Sequence, residues 1–111
     1  LVARLQQQIV SGVYPPGSKL PSVRELAADA GVNPNTVQRA FAELERAGLI
    51  YTQRTAGKFV TEDAAAVAAA CRSLAEAQTR QYLAAMRALG CGKQEIHNLF
   101  DQMEEQEHAD L

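Results

Sequence analysis

Asn35, Thr36, Gln38 and Arg39 are the residues of this chain whose types and spacing point to specific chemistry. That chemistry is hydrogen bonding rather than bond making. A glutamine amide donates and accepts together, which suits the major-groove edge of adenine. Asparagine can do the same or hold a phosphate, and threonine offers a hydroxyl to phosphate or a methyl contact to thymine. Reactive groups are sparse by comparison. Cys71, Cys91, His97 and His108 lack the spacing of a zinc site. Cys71 falls on an apolar stripe and reads as a buried structural thiol. Cys91 lies between Gly90 and Gly92, in an expected exposed turn close to Lys93, where a thiol could react. A thiol sensor, or a metal site built from Cys91, His97 and a carboxylate across a dimer, is the alternative these residues leave open. The run Glu104 to His108 reads as a solvated helix face or tail. There is no glycine-rich phosphate loop, nucleophile elbow or pair of catalytic carboxylates in a defined context. The expectation is a protein that is not an enzyme and uses no cofactor or metal.

The polar row needs a helix to present it and a second helix to brace that one. Ser22-Val23-Arg24-Glu25 has the pattern of a capping box, which predicts a helix start. Leu26, Ala27 and Ala30 follow as its apolar stripe, and Gly31 ends it. Val32 anchors the turn. Asn33 then suits an N-cap and Pro34 the first helical position. Val37, Ala40, Phe41 and Leu44 recur at helical spacing, and Gly48 closes this second helix. Asn35, Thr36, Gln38, Arg39 and Glu43 are left facing outward. Two short helices with a tight turn between them form a helix-turn-helix, whose second helix enters the DNA major groove by its N-terminal residues. Free N–H groups at that helix start favour an anion.

Before this pair, Leu1 to Ser11 reads as a helix with Val2, Leu5 and Ile9 on one face. Tyr14-Pro15-Pro16-Gly17-Ser18-Lys19 is a turn, and Lys19-Leu20 is a short strand candidate. After it, Leu49–Gln53 and Lys58–Thr61 are strand candidates joined by Arg54 to Gly57. The stretch LPSVRELAADAGVNPNTVQRAFAELERAGLI, with the preceding turn, resembles the winged helix-turn-helix of GntR-family bacterial transcription regulators. The resemblance runs from about Leu5 to Val60. It implies that the strands form a wing and that Arg24, in a segment of RELA type, contacts DNA. The DNA-binding set expected on these grounds is Arg24, Asn33, Asn35, Thr36, Gln38, Arg39, Arg54, Thr55 and Lys58. Where typical family wings read Gly-x-Gly-Thr-Phe-Val, this chain reads Thr55-Ala56-Gly57-Lys58-Phe59-Val60. Lys58 therefore adds a charge where Thr55 removes a glycine. Some relatives carry arginine where this chain has Pro34 and Gln38, so their guanine reading is not carried over.

The fold class expected is mostly α with a small β wing, in two parts. Residues 1–62 form the winged helix-turn-helix, and residues 63–111 form a two-helix tail. A tail of this length resembles the YtrA-like subfamily, in which two C-terminal helices serve dimerisation. Its first helix runs to about Leu89 and its second starts near Lys93, with fraying expected beyond Glu104. Val67, Cys71, Leu74, Tyr82, Met86 and Leu89, then Ile96, Leu99, Phe100 and Met103, are the candidate dimer contacts. A two-helix hairpin alone buries too little to be stable, which favours a homodimer. Two modules on a twofold axis would read both halves of a pseudo-palindrome.

Charge supports this division of labour. The chain of 111 residues carries −2 overall, but the basic residues are unevenly placed. Seven basic and five acidic residues precede Asp63, and four basic and eight acidic residues follow from Asp63 on. Positive charge thus sits with the helix-turn-helix, where phosphate would be met. Two cysteines without framework spacing fit a reducing cytoplasm, and no segment is long and apolar enough for a membrane. The chain opens on Leu1 in what reads as mid-helix, so further residues are expected before it. The function expected is a sequence-specific regulator, of repressor type, with double-stranded DNA as partner. Its effector ligand is undefined. The alternative is a winged-helix module that binds protein or RNA. Apolar anchors would then be expected where Asn35, Gln38 and Arg39 stand.

Overall fold

The computed structural model describes residues 1–109. Its elements are α1 (Val2–Val10), α2 (Val23–Ala30), α3 (Pro34–Arg46), β1 (Ile50–Gln53), β2 (Gly57–Val60), α4 (Ala64–Ala88) and α5 (Lys93–Ala109). Among the described residues the fold is mostly helical with one two-stranded antiparallel sheet, the helices as apolar spacing predicts and the wing as the family resemblance implies. Contacts group the chain into two compact units, Leu1–Ser73 and Leu74–Leu111. The boundary between them falls inside α4, past the Glu62-Asp63 junction.

In the first unit, α1 to α3 and the sheet share one apolar core. Leu5 and Ile9, one turn apart on α1, meet Leu26 and Ala27 of α2 and Val37, Ala40, Phe41 and Leu44 of α3. Leu20, Leu49, Ile50 and Val60 complete it from the chain flanking the helices and from the strands. No polar or charged residue is buried among the described residues. The core is therefore dry, and removing apolar volume from it costs both transfer energy and a cavity.

Local chemistry sets the helix ends. Ser22 and Glu25 form the reciprocal cap of α2. At the other end, Gly31 adopts φ +66°, and the N–H groups of Gly31 and Val32 both donate to the Ala27 carbonyl. A residue with a Cβ is strained in that left-handed conformation, so glycine suits the tight turn into α3.

The sheet pairs Ile50 with Val60, Tyr51 with Phe59, Thr52 with Lys58 and Gln53 with Gly57. The Tyr51 and Phe59 rings stack with centroids 5.8 Å apart. The expected Lys19-Leu20 strand is a single bridge between Lys19 and Phe59. Around it, Leu20 N–H donates to the Lys58 carbonyl at 2.8 Å and Val60 N–H to that of Ser18 at 2.9 Å. Further along, Asp63 caps α4 by accepting the Ala65 N–H at 3.0 Å. Ala66, Val67 and Ala70 form the half-covered face of its first turns, with Ala70 packed on the core.

In the second unit, Ile96 is buried, and Leu74, Leu83, Met86 and Cys91 are half-buried. The two thiols differ from expectation. Cys71 is exposed, because it follows Ala70 by one residue and so points about 100° away from the covered face. Cys91 is half-buried, because the reversal at Gly90 folds its N–H back onto the Met86 carbonyl at 3.0 Å. Nor does the last helix stop at Glu104. It continues to Ala109, with His108 Nε2 3.7 Å from the Glu104 carboxylate one turn earlier.

Candidate nucleic-acid interface

The α3 start is built from its buried side outward. Val37, Ala40, Phe41 and Leu44 are between 0% and 2% exposed, so their stripe fixes the rotation of the helix. Asn35, Thr36, Gln38 and Arg39 then lie on the open side, all exposed. Asn33 sits at the cap, and its Oδ1 accepts the Asn35 N–H at 2.8 Å. The Asn33 carbonyl accepts the Thr36 N–H at 2.9 Å, and Pro34 has no N–H to offer. The amides expected to be free for an anion are thus partly taken by the chain itself. What remains on offer is the side-chain row and the positive end of the helix dipole.

Arg24 occupies the first turn of α2 and is exposed. Its sequence neighbour Glu25 is engaged by the Ser22 N–H at 3.3 Å. Among the described residues no ion pair holds the Arg24 guanidinium. Arg54 and Thr55 lie in the loop between β1 and β2, both exposed, with the Ala56 N–H closing the turn on the Gln53 carbonyl at 3.0 Å. Gly57 follows at φ +109°, and a Cβ there would come 3.2 Å from the Lys19 side chain. An open groove of about 740 Å³ separates the wing from the start of α2, with Lys19, Leu20, Ser22, Phe41 and Lys58 among its lining.

Lys58 behaves differently from the other candidates. It is half-buried, and its ammonium donates to the Glu45 carboxylate and to Thr52 Oγ1, the latter at 2.7 Å. The Thr52 hydroxyl donates to the same Glu45 oxygen at 2.7 Å. The Lys58 hydrogen bond, then that from Thr52, hold the Glu45 carboxyl below its ordinary range. Sequence reasoning missed Glu45 and Thr52. The readable signal was weak: an acidic residue near the end of α3, and two strand residues whose facing register cannot be known before pairing.

The tail candidates separate by exposure. Tyr82, Leu89, Leu99, Phe100 and Met103 are exposed apolar residues, Leu89 to 77%. Ile96 is covered by its own chain, while Val67, Leu74 and Met86 are half-covered and Cys71 is open. Tyr82, Phe100 and Met103 line a shallow groove of about 310 Å³ with Glu104 and Glu107. Among the described residues no cluster of three or more His, Cys, Asp or Glu is placed to hold a metal. No described helix is long and apolar enough to cross a membrane.

Comparison with known proteins adds an independent line. The family model of "Bacterial regulatory proteins, gntR family" matches residues 1–60. The HTH-type transcriptional repressor YtrA of Bacillus subtilis is 45% identical over 64 residues, which is 58% of this chain and 49% of that protein. The HTH-type transcriptional regulator Rv1152 of Mycobacterium tuberculosis is 40% identical over 101 residues, covering 84% of this chain and 76% of the relative. The chain thus spans about half the length of YtrA and three-quarters of Rv1152. A GntR family transcriptional regulator from Listeria monocytogenes has a solved structure with TM-score 0.84 and 40% identity, over 91% of this chain and 89% of that one.

Proposed function

The chain belongs to the gntR family of bacterial regulatory proteins, and we propose that it is a homodimeric repressor that reads a pseudo-palindromic operator. In this reading Gln38 and Asn35 meet base edges in the major groove, and Thr36, Arg39 and Asn33 hold the helix on the backbone. Arg24 reaches a phosphate from the bracing helix, and Arg54 and Thr55 reach the backbone from the wing tip. The observation that carries the reading is the outward polar row of α3, set by the fully buried Val37 and Leu44 beneath it. A protein-docking winged helix would need apolar anchors on that face.

The second copy is supported by the exposed Tyr82, Leu89, Leu99, Phe100 and Met103. Val67, Cys71, Leu74 and Met86, on the same helix as Tyr82, are the further candidates for contact with the second copy. Water contact with large apolar side chains is unfavourable, and a second copy offers the same surface in return. Repression follows from occupancy: a dimer over two half-sites ~34 Å apart blocks the duplex beneath it. The similarity to a named repressor, YtrA, favours this sign of regulation over activation.

Footprinting upstream of the protein's own gene tests the reading. Two protected patches on one face of the duplex, one helical turn apart, are expected, and transcription from that template should fall as protein is added. A single unpaired patch, or transcription that rises, would contradict the dimer or the repressor assignment respectively.

A further inference from the structure

Each end of the Glu45–Lys58 ion pair belongs to a different part of the proposed interface. Glu45 lies in the last turns of α3, and Lys58 lies in β2 directly opposite Thr52 of β1. The three side chains close on one another, since Lys58 donates to both partners and Thr52 donates to Glu45. The Lys58 ammonium also stands 6.0 Å from the centre of the Phe41 ring, one turn before Glu45 on α3. Its side chain is only 30% exposed. The inner half of the wing is anchored by Ile50 and Val60, which are in the core. The outer half is not, for Thr52, Gln53, Arg54, Thr55 and Gly57 are all exposed. A short hairpin without packing is marginally stable. Backbone bonding from Leu20 N–H to the Lys58 carbonyl ties β2 to the segment before α2, and the Glu45, Lys58 and Thr52 side chains tie the hairpin to α3.

We propose that Glu45 and Thr52 are positioning residues for DNA binding, which with Lys58 latch the outer half of the wing to the recognition helix. Lys58 spends its charge on Glu45 rather than on a phosphate. The latch sets where Arg54 and Thr55 arrive relative to Gln38 and Arg39, so the wing and the helix meet one duplex in fixed register. It also neutralises a carboxylate that would otherwise repel the phosphates near α3. This assignment rests on the DNA-binding reading above.

The full chain carrying Glu45→Ala, Lys58→Met, both together, or the exchanged pair E45K/K58E separates the possibilities. Two readouts are taken: operator affinity across a salt series, and hydrogen exchange of the wing amides in the free protein. The latch predicts that each single change weakens binding by roughly two- to fivefold, the range expected of a partly exposed pair. The double change should cost no more than either single one, because the contact can be lost only once. Wing amides should exchange faster in all three, and the exchanged pair should restore affinity and protection. The salt slope should stay as in the wild type throughout. A slope lowered by about one in Lys58→Met would show a phosphate contact instead. Tighter binding by Glu45→Ala, or an exchanged pair weaker than either single variant, would likewise overturn the proposal. A wild-type chain indifferent to any duplex would defeat the DNA-binding reading, while the exchange rates would still decide the latch: unaltered wing protection in Glu45→Ala would refute it.

Discussion

The Glu25 carboxylate accepts the Ser22 backbone N–H at 3.3 Å, and the Ser22 hydroxyl accepts the Glu25 N–H at 3.1 Å. The nearest acid to Arg24 in sequence is therefore committed to its own helix start. Arg24→Ala should lower affinity for all duplexes alike and reduce the salt slope by about one. Its melting temperature should stay near the wild type, because the residue is exposed. Ser22→Ala should do the converse, costing about 1 kcal/mol of stability through the lost cap. Calorimetry beside an anisotropy titration separates the two effects.

Gln38 is exposed and Leu44 buried on the same helix, and the two should fail in opposite ways. Gln38→Ala should cost about 1–3 kcal/mol of specific binding and relax preference at one base pair, with folding intact. A binding-site selection on the variant would reveal the relaxed position. Leu44 is 0% exposed, and Leu44→Ala should lose about 2–5 kcal/mol of folding stability. Denaturant unfolding measures that loss.

Acid should undo the contact between Glu45 and Lys58. The Glu45 carboxyl is held below its ordinary value, first by the hydrogen bond from Lys58 and then by that from Thr52. A group whose folded value is lowered stabilises the fold above its unfolded value, and that contribution disappears as pH falls through the folded one. The stability difference between wild type and Glu45→Ala should hold steady from neutral pH down to the ordinary glutamate range, then shrink in stronger acid. For a pair that stays partly exposed to solvent its size should be no more than about 1 kcal/mol. Thermal melts of both proteins across that pH range provide the check.

Phe100 is 56% exposed on α5, beside Met103 in the shallow groove that Tyr82 also lines. Phe100→Asp should leave each chain folded, because little of its surface is buried in the single chain. It should shift sedimentation from dimer to monomer and weaken operator binding, since a second half-site no longer adds to the first.

How much could be read beforehand depended on how local the signal was. The α2 cap needs only Ser22 and Glu25, and the α3 start only Asn33 and Pro34; each is short-range chemistry that survives without knowing the fold. The outward position of Gln38 was legible for a related reason: Val37, Ala40, Phe41 and Leu44 leave the helix one rotation. The wing was harder. Tyr51 and Phe59 face each other across the strands and blur the alternation that marks a half-buried hairpin. The Glu45–Lys58 contact was beyond reach, since it needs the hairpin register and the packing of α3 together. In the tail, periodicity singled out Tyr82, yet Leu83 is the more covered of the two. Alanine on most sides of α4 leaves the rotation of that helix weakly marked.

The most direct test is an anisotropy titration of the full chain on the footprinted duplex and on a scrambled one, repeated from low to high salt. The account predicts two chains per intact palindrome, a specific-to-nonspecific ratio of at least about 10³, and affinity that falls steeply as salt rises. Equal affinity for both duplexes, or binding by one chain with no dependence on salt, would contradict it.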